Sequence, residues 1–545
     1  MSDLITRQAT RLSLRVHALD NVRVALTDLP AGTVIEADGR TLTLPAAVRH
    51  KHKFALAPLA VDDLVIMYGV TVGRVTQPIA AGEAITTENL EHSTADAHPQ
   101  GRHDGWQQPD VSAFQGLTFD GYHRPDGRVG TANLWLVVPL VFCENRNIEV
   151  LRQCVTDALG DDPYRDYKRL ARQLLHGEVE ELEVTPPGER LFPNVDGVRF
   201  LTHHLGCGGT DGDAETLCRL LAGYICHPNV AGATVLSLGC QKAQIAMLQA
   251  AIAERDPQGL KPVEYFEQQR IESEVSLIRE ALVAIFAGLK QANRVTRQPA
   301  PLSELTLGVE CGGSDGFSGL SANPLVGAVV DRLVALGGSG ILSEFPELCG
   351  VEHELLARCR DEQVGERFQQ LMDAYQRHAA AVGAHFSMNP SPGNVRDGLI
   401  TDAMKSAGAA KKGGDSPVVD VLDYTEPATR KGLNLLCTPG NDVESTTGLV
   451  SSGANLVLFT TGLGTPTGNP VAPVMKISSN SELADRMRDV IDFDAGPIIR
   501  GEAEIGELAD ELLRLCIEVA SGRYVPNAVR LAQLDFIPWK RGVSL

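Results

Sequence analysis

One pattern, repeated along the chain, constrains the fold more than any other: an almost unbroken run of Val, Ile and Leu empties into a polar, often glycine-rich loop, and a helical pattern follows. Residues 134–142 lead into Cys143-Glu-Asn, residues 198–202 into His203-His-Leu-Gly-Cys207-Gly-Gly, and residues 233–238 into Gly239-Cys240-Gln241. Residues 305–310 lead into Cys311-Gly-Gly-Ser-Asp-Gly316. Further on, residues 341–343 precede Glu344-Phe-Pro-Glu347, residues 434–437 precede Thr438-Pro-Gly-Asn-Asp442, and residues 455–461 precede Gly462-Leu-Gly-Thr465. Continuous apolar runs suit strands buried on both faces of a parallel sheet. Strand, loop and helix in succession gather their loops at the carboxyl edge of such a sheet, where open α/β folds bind ligands.

The rest of the chain divides around these units. Residues 1–92 read as a small β-rich module, since 12–16 and 22–26 alternate as half-buried strands do, and Pro30-Ala-Gly and Ala81-Gly-Glu mark tight turns. Residues 93–118, rich in His, Gly, Pro, Gln and Asp, read as an extended linker. Two Rossmann-like α/β domains with largely parallel sheets are expected over 119–298 and 299–545, divided near the Pro-containing stretch 294–301. The hexapeptides at 207–212 and 311–316 differ only by Thr for Ser, which fits two similar halves.

Composition excludes several classes. A formal net charge of −20 opposes nucleic acid and anionic membranes, and no basic stripe interleaved with aromatics occurs. No apolar run approaches the roughly 20 residues that span a bilayer. The N-terminal residues lack a signal-peptide core, so a cytoplasmic location is expected. Eleven cysteines with no CxxC pair read as buried fillers, metal ligands or reactive thiols in a reducing compartment.

Four cysteines, Cys143, Cys207, Cys240 and Cys311, stand where a strand opens into a loop, and thiolates there suit iron or zinc. The bland reading is that they are small apolar fillers. Cys154, Cys218, Cys226, Cys349, Cys359, Cys437 and Cys516 read as structural. Gly312-Gly-Ser314-Asp-Gly316 also spells G-x-S-x-G, which would make Ser314 a hydrolase nucleophile. However, the later histidines, His353, His378 and His385, lie in no recognisable strand-end context, and no oxyanion loop is evident. The basic group Lys405, Lys411, Lys412 and Arg430 reads as solvated surface, and Asn389-Pro-Ser-Pro-Gly-Asn394 as a rigid turn presenting two amides and a hydroxyl.

Several long motifs in order carry a resemblance: His50-Lys-His-Lys-Phe-Ala-Leu56, the Gly-Tyr-x-Arg-x-Asp-Gly-x-Val-Gly-Thr pattern from Gly121, His204-Leu-Gly-Cys207-Gly, Glu310-Cys-Gly-Gly-Ser-Asp-Gly-Phe-Ser-Gly319, Asn389-Pro-Ser-Pro-Gly-Asn394 and Thr461-Gly-Leu-Gly-Thr-Pro466. Over essentially its whole length the chain resembles the altronate/galactarate dehydratases, sugar-acid dehydratases with a SAF-type β module ahead of an α/β body, and it is most similar to the altronate branch. The resemblance implies conversion of D-altronate to 2-dehydro-3-deoxy-D-gluconate and water in hexuronate catabolism, with Fe(II) as the metal. Mn(II) or another divalent ion is an alternative, and an iron–sulfur cluster is compatible with the same thiols. On this reading Cys143, Cys207, Cys240 and Cys311 supply metal ligands, with His204 beside them. His52 and Asp315 are acid/base candidates, His204 is counted with them as catalytic, and Ser314, Asn389, Ser391, Asn394 and Thr465 contact the substrate. A small anionic sugar acid is the expected partner, and a homo-oligomer, with a dimer favoured, the expected assembly. Galactarate or another aldarate or aldonate is the alternative substrate; a serine hydrolase and a sugar-acid sensor are the alternatives of other classes.

Overall fold

The computed structural model describes residues 12–37, 39–94, 105–177 and 190–544. In the N-terminal module, short apolar runs between turns give short antiparallel strands. Val22–Ala25 pairs with Ser13–Leu14 and Lys53–Ala55, Val34–Ala37 with Arg40–Thr43, and Val70–Val75 with Leu64–Met67 and Leu90–Glu91. The module is docked on the body: Val22, Val24, Val65 and Val72 share one continuous apolar cluster with Leu307, Val309 and Leu458. Of the stretch expected as a linker, residues 95–104 lie outside the described residues.

Two parallel sheets form most of the rest. The smaller has β1 (Leu134–Pro139) flanked by β2 (Gly197–Phe200) and β3 (Val230–Ser237), with β4 (Val263–Glu267) beyond β3. Helices α1 (Asn145–Leu159) and α4 (Glu274–Ala292) cover one face, and α2 (Asp211–Ile225) and α3 (Ile245–Arg255) the other.

The larger sheet holds β5 (Thr306–Cys311), β6 (Ser339–Leu342), β7 (Val418–Leu422), β8 (Gly432–Leu436), β9 (Leu456–Thr461), β10 (Val474–Ser478) and β11 (Phe493–Asp494). Its order is β7-β8-β6-β5-β9-β10-β11, and every pairing is parallel. The order runs outward from β5 in both directions, so the crevice of an open α/β sheet falls beside β5. Helix α5 (Ala322–Ala335) follows β5, α6 (Asp402–Ala409) precedes β7, and α7 (Asp442–Ser451) follows β8 and packs against α2 of the smaller unit. The expected α/β architecture, with a small β-rich module and a large parallel sheet, is present.

The stretch 294–301, expected as a boundary between the two halves, carries a short strand of its own. Gln298–Pro301 is an edge strand paired antiparallel with Thr118–His123, which pairs in turn with Val129–Gly130. An edge strand tolerates Pro299 and Pro301 because a missing N–H there faces away from the ladder.

Candidate active site

The carboxyl edge of the larger sheet gathers a buried polar cluster around Cys311. Alternation along β5 points neighbouring side chains to opposite faces, yet Glu344 lies close enough to act on both Cys311 and Glu310. Cys311 Sγ lies 3.2 Å from Glu347 Oε2, and its backbone N–H donates to Glu344 Oε2 at 3.2 Å. Glu310 Oε2 accepts from Ser445 Oγ at 2.6 Å and Ser343 Oγ at 3.2 Å. Glu344 sits two residues past the end of β6 in the left-handed region, at φ 64°, a conformation unfavourable for a residue with a Cβ. It is held there by its N–H, which donates to Thr438 Oγ1 at 2.8 Å. The short 3-10 turn Phe345–Leu348 then brings Glu347 back over the strand end.

Two lysines balance these acids. Lys412 Nζ lies 2.8 Å from Cys311 Sγ and donates to Glu344 Oε2, with both charged side chains fully buried. Lys405 Nζ bonds Glu347 Oε1 at 2.5 Å and Asn389 Oδ1 at 2.6 Å. Burial, with the charges of Glu344 and Glu347, pushes the Cys311 thiol well above its ordinary range, so the sulfur keeps a proton to share with Glu347. Burial, reinforced by Glu347, raises Glu344 to about 7. Burial would raise Glu347 too, but Lys405 and Lys412 outweigh it and hold the carboxylate below its usual value. The basic group expected as solvated surface is thus divided, with Lys405 and Lys412 turned into the site.

A thiol and two carboxylates form a mixed soft and hard donor set compatible with Fe(II) or Mn(II). The ligand atoms of Cys311, Glu344 and Glu347 all lie within 4.8 Å of one another. Glu344 Oε1 is buried with no hydrogen-bond partner among the described residues. These residues fit the divalent metal that the resemblance implies, provided Cys311 loses its proton and Lys412 yields its place.

The rim is built by glycines that let other loops approach. A Cβ on Gly312 would lie 1.9 Å from Asp442 Oδ2, one on Gly313 2.7 Å from Thr465 Oγ1, and one on Gly440 2.6 Å from Asn389 Nδ2. Asp442, Thr465 and Asn389 therefore lean directly over the strand-end loops. Burial and the charge of Glu347 raise Asp442 to about 6. On β10, Lys476 Nζ has no hydrogen-bond partner among the described residues and lies 3.4 Å from the Phe459 ring centroid. Burial lowers it to about 7.

Among the other expected residues, Ser391 and Asn394 form a reciprocal capping box at the helix Pro392–Arg396, and Asn394 Nδ2 donates to the Ser314 carbonyl at 2.7 Å. Asn394 is thereby a brace for the Gly-rich loop. Ser314 Oγ is buried with no hydrogen-bond partner among the described residues, so no base reaches it and no hydrolase triad is assembled. Asp315 is fully enclosed: it accepts from the N–H groups of Phe317 and Ser318, the hydroxyls of Ser318 and Ser479, and Asn480 Nδ2. Lys51 Nζ of the N-terminal module lies 3.0 Å from Oδ2, the oxygen that Asn480 also reaches. Such a carboxylate has no free lone pair directed at a substrate. His52 is half-buried with Nε2 3.1 Å from the Arg396 carbonyl, while its neighbour Lys53 is fully buried and donates to the Gly398 carbonyl at 2.6 Å. In His50-Lys-His-Lys53 it is the lysines that grip the body.

The four strand-end cysteines divide between the sheets. Cys311 is buried at the end of β5, whereas Cys143, Cys207 and Cys240 are exposed at the edge of the smaller sheet, after β1, β2 and β3. The expectation of a single four-thiol set is corrected accordingly, because Cys311 belongs to a different sheet edge. Among the described residues, the sets of three metal-type donors are Cys311/Glu344/Glu347 and His92/Cys349/Asp402, and the three exposed cysteines join neither. His204 is exposed beside Cys207, while His203 is buried with Nε2 2.8 Å from the Pro139 carbonyl.

Family models match along the chain in order. Residues 11–93 match the altronate/galactarate dehydratase SAF domain, residues 121–293 the second domain of D-galactarate dehydratase/altronate hydrolase, and residues 302–544 the C-terminal domain of D-galactarate/altronate dehydratase. The altronate dehydratase of Escherichia coli (strain K12) is 36% identical over 98% of this chain and 99% of its own length. That of Bacillus subtilis (strain 168) is 34% identical over 98% and 99%. The L-threo-forming galactarate dehydratase of Escherichia coli is 32% identical over 96% of each chain. With three matching domains in register and relatives aligned end to end, this chain belongs to the altronate/galactarate dehydratase family.

Proposed function

We propose that this chain is a divalent-metal-dependent sugar-acid dehydratase that converts D-altronate to 2-dehydro-3-deoxy-D-gluconate and water. The observation that carries the reading is the Cys311–Glu344–Glu347 cluster, flanked by Lys405 and Asp442, at the carboxyl edge beside the strand where the sheet order reverses. The two altronate dehydratases among the relatives support the choice of substrate.

In this mechanism Lys405 and Asn389 bind the substrate carboxylate, and Thr465 contacts a hydroxyl at the rim. Asp442, poised near 6 and therefore ionised at neutral pH, removes the proton from carbon 2. The bond from carbon 3 to its oxygen breaks as the enol forms. Asp442 then returns the proton to the departing hydroxide, which leaves as water, and the enol tautomerises to the keto acid. An Fe(II) or Mn(II) ion held by Cys311, Glu344 and Glu347 would supply Lewis-acid stabilisation of charge on the substrate oxygens. Lys412, having yielded its place at the Cys311 sulfur, keeps its bond to Glu344 and holds that carboxylate in place, and the enclosed cluster excludes water.

The test is incubation of reduced, Fe(II)-loaded protein with a panel of aldonates and aldarates, assayed for 2-keto-3-deoxy acids. D-altronate is expected to turn over fastest. Replacement Asp442→Asn is expected to lower kcat by about 10²-fold or more, and Ser314→Ala to leave it near the parent value. Preferential turnover of galactarate would move the assignment to that substrate, and the absence of keto acid from every compound would reject the dehydratase reading.

A further inference from the structure

A second cluster of metal-type donors lies outside the site just described, on the seam between the N-terminal module and the body. His92 follows the last strand of the module, Leu90–Glu91. Cys349 follows the 3-10 turn that carries Glu347, and Asp402 is the first residue of α6. Their ligand atoms lie within 4.8 Å of one another. Asp402 is 1% exposed, yet neither of its carboxylate oxygens has a hydrogen-bond partner among the described residues. A buried carboxylate without partners is costly unless a cation or proton compensates it.

The surrounding contacts show that this is a built seam. Thr401, the N-cap of α6, donates from Oγ1 to the Val72 carbonyl of the module at 2.6 Å. The N–H of Ala403 donates to His92 Nδ1 at 3.3 Å, a long bond that orients the ring on α6. Gly350 takes φ +90°, and a Cβ there would lie 2.7 Å from Thr94 Cγ2, so the chain leaving the module presses against the loop that holds Cys349. Glu352 Oε2 accepts the Gly350 N–H at 2.7 Å and secures that loop.

We propose that His92, Cys349 and Asp402 form a second metal site, structural in role, that takes a borderline-soft divalent ion of the zinc type and locks the N-terminal module onto α6. One imidazole, one thiolate and one carboxylate are the donors such an ion accepts, with a water or a further side chain in the fourth position. The ion would neutralise Asp402 and join three segments that are distant in sequence. Because α6 also carries Lys405, the lock would set the position of that ammonium in the active site. The inference does not depend on which sugar acid is the substrate.

Co(II) is the probe, added to chelator-stripped, reduced, full-length protein. The Cys311→Ser variant serves as the background, so that the active-site thiol contributes no signal. In that background the expected result is a thiolate-to-Co(II) charge-transfer band that saturates at one equivalent. Adding Cys349→Ser is expected to abolish the band, and adding His92→Ala to weaken binding by about tenfold or more. Hydrogen exchange provides a readout independent of colour: Zn(II) is expected to slow exchange across residues 53–75 in the Cys311→Ser protein and to have no such effect once Cys349 is also replaced. A band that persists without Cys349, or exchange in the module that is indifferent to Zn(II), would overturn the proposal. Failure of turnover on every sugar acid would leave both readouts intact, so the two readings fail separately.

Discussion

At the scale of single residues, Asp315 depends on Lys51 for its one cationic partner among the described residues. The lysine is nearly buried, adopts a left-handed backbone at φ 71°, and reaches both Asp315 and Asp397. Removing one partner of a buried pair leaves the other charge uncompensated, so Lys51→Met is expected to destabilise the protein by about 3–5 kcal/mol. Denaturant unfolding of the two proteins checks this, and a change under 1 kcal/mol would mean that the remaining hydrogen bonds suffice for Asp315. The residue scale is also where the sequence is least legible. Cys143, Cys207, Cys240 and Cys311 have the same local setting, a strand end before a loop, and only their assignment to one sheet or the other separates them. Glu344, Glu347 and Lys412 acquire their roles from contacts between distant segments, and Lys412 looks like any surface lysine until α6 and the turn after it bury the side chain.

At the scale of elements, the strand-to-loop edges carry the chemistry, and they were readable because unbroken apolar runs ending in glycine have few alternative structures. Cys311-Gly-Gly-Ser-Asp-Gly316 was recognisable as a ligand loop, whereas its apparent hydrolase elbow was not distinguishable from a real one without the burial of Ser314. Gly313 shows why the loop needs its composition: φ is +59°, and an added methyl would meet Thr465 and Thr461. Gly313→Ala is therefore expected to cost about 1–3 kcal/mol of stability. It is also expected to depress kcat more than KM, since it shifts the rim without removing the Lys405 anchor. Thermal unfolding and steady-state kinetics measure the two effects, and unchanged kcat would place Thr465 outside the substrate's reach.

At the scale of the whole molecule, a buried neutral histidine that is sensitive to acid helps fasten the two sheets. His227, in the turn before β3, is 1% exposed and places Nε2 3.1 Å from the Ala454 carbonyl of the larger unit. Burial lowers it to about 3, and lowers His203 to about 4. Unfolded, each binds a proton near 6.5, so as pH falls from 6.5 toward 4 the unfolded state gains protons that the folded state refuses, and stability drops. Each histidine is expected to cost about 2 kcal/mol by pH 5. Asp442, raised to about 6, works in the opposite sense between that value and its ordinary one, because the folded state holds the proton more tightly there. The histidine contribution is therefore read as a difference: His227→Gln should flatten the fall in stability between pH 6.5 and 5 by about 2 kcal/mol relative to the parent. An unaltered slope would show that His227 is protonated in the fold. The continuous apolar cluster that unites the N-terminal module with the larger sheet has a consequence of another kind. If burial and the Lys51 grip supply the attraction, the covalent connection contributes mainly effective concentration. A chain severed between Thr94 and Gly105 is then expected to behave as a two-subunit protein, its fragments eluting together at micromolar concentration and retaining turnover.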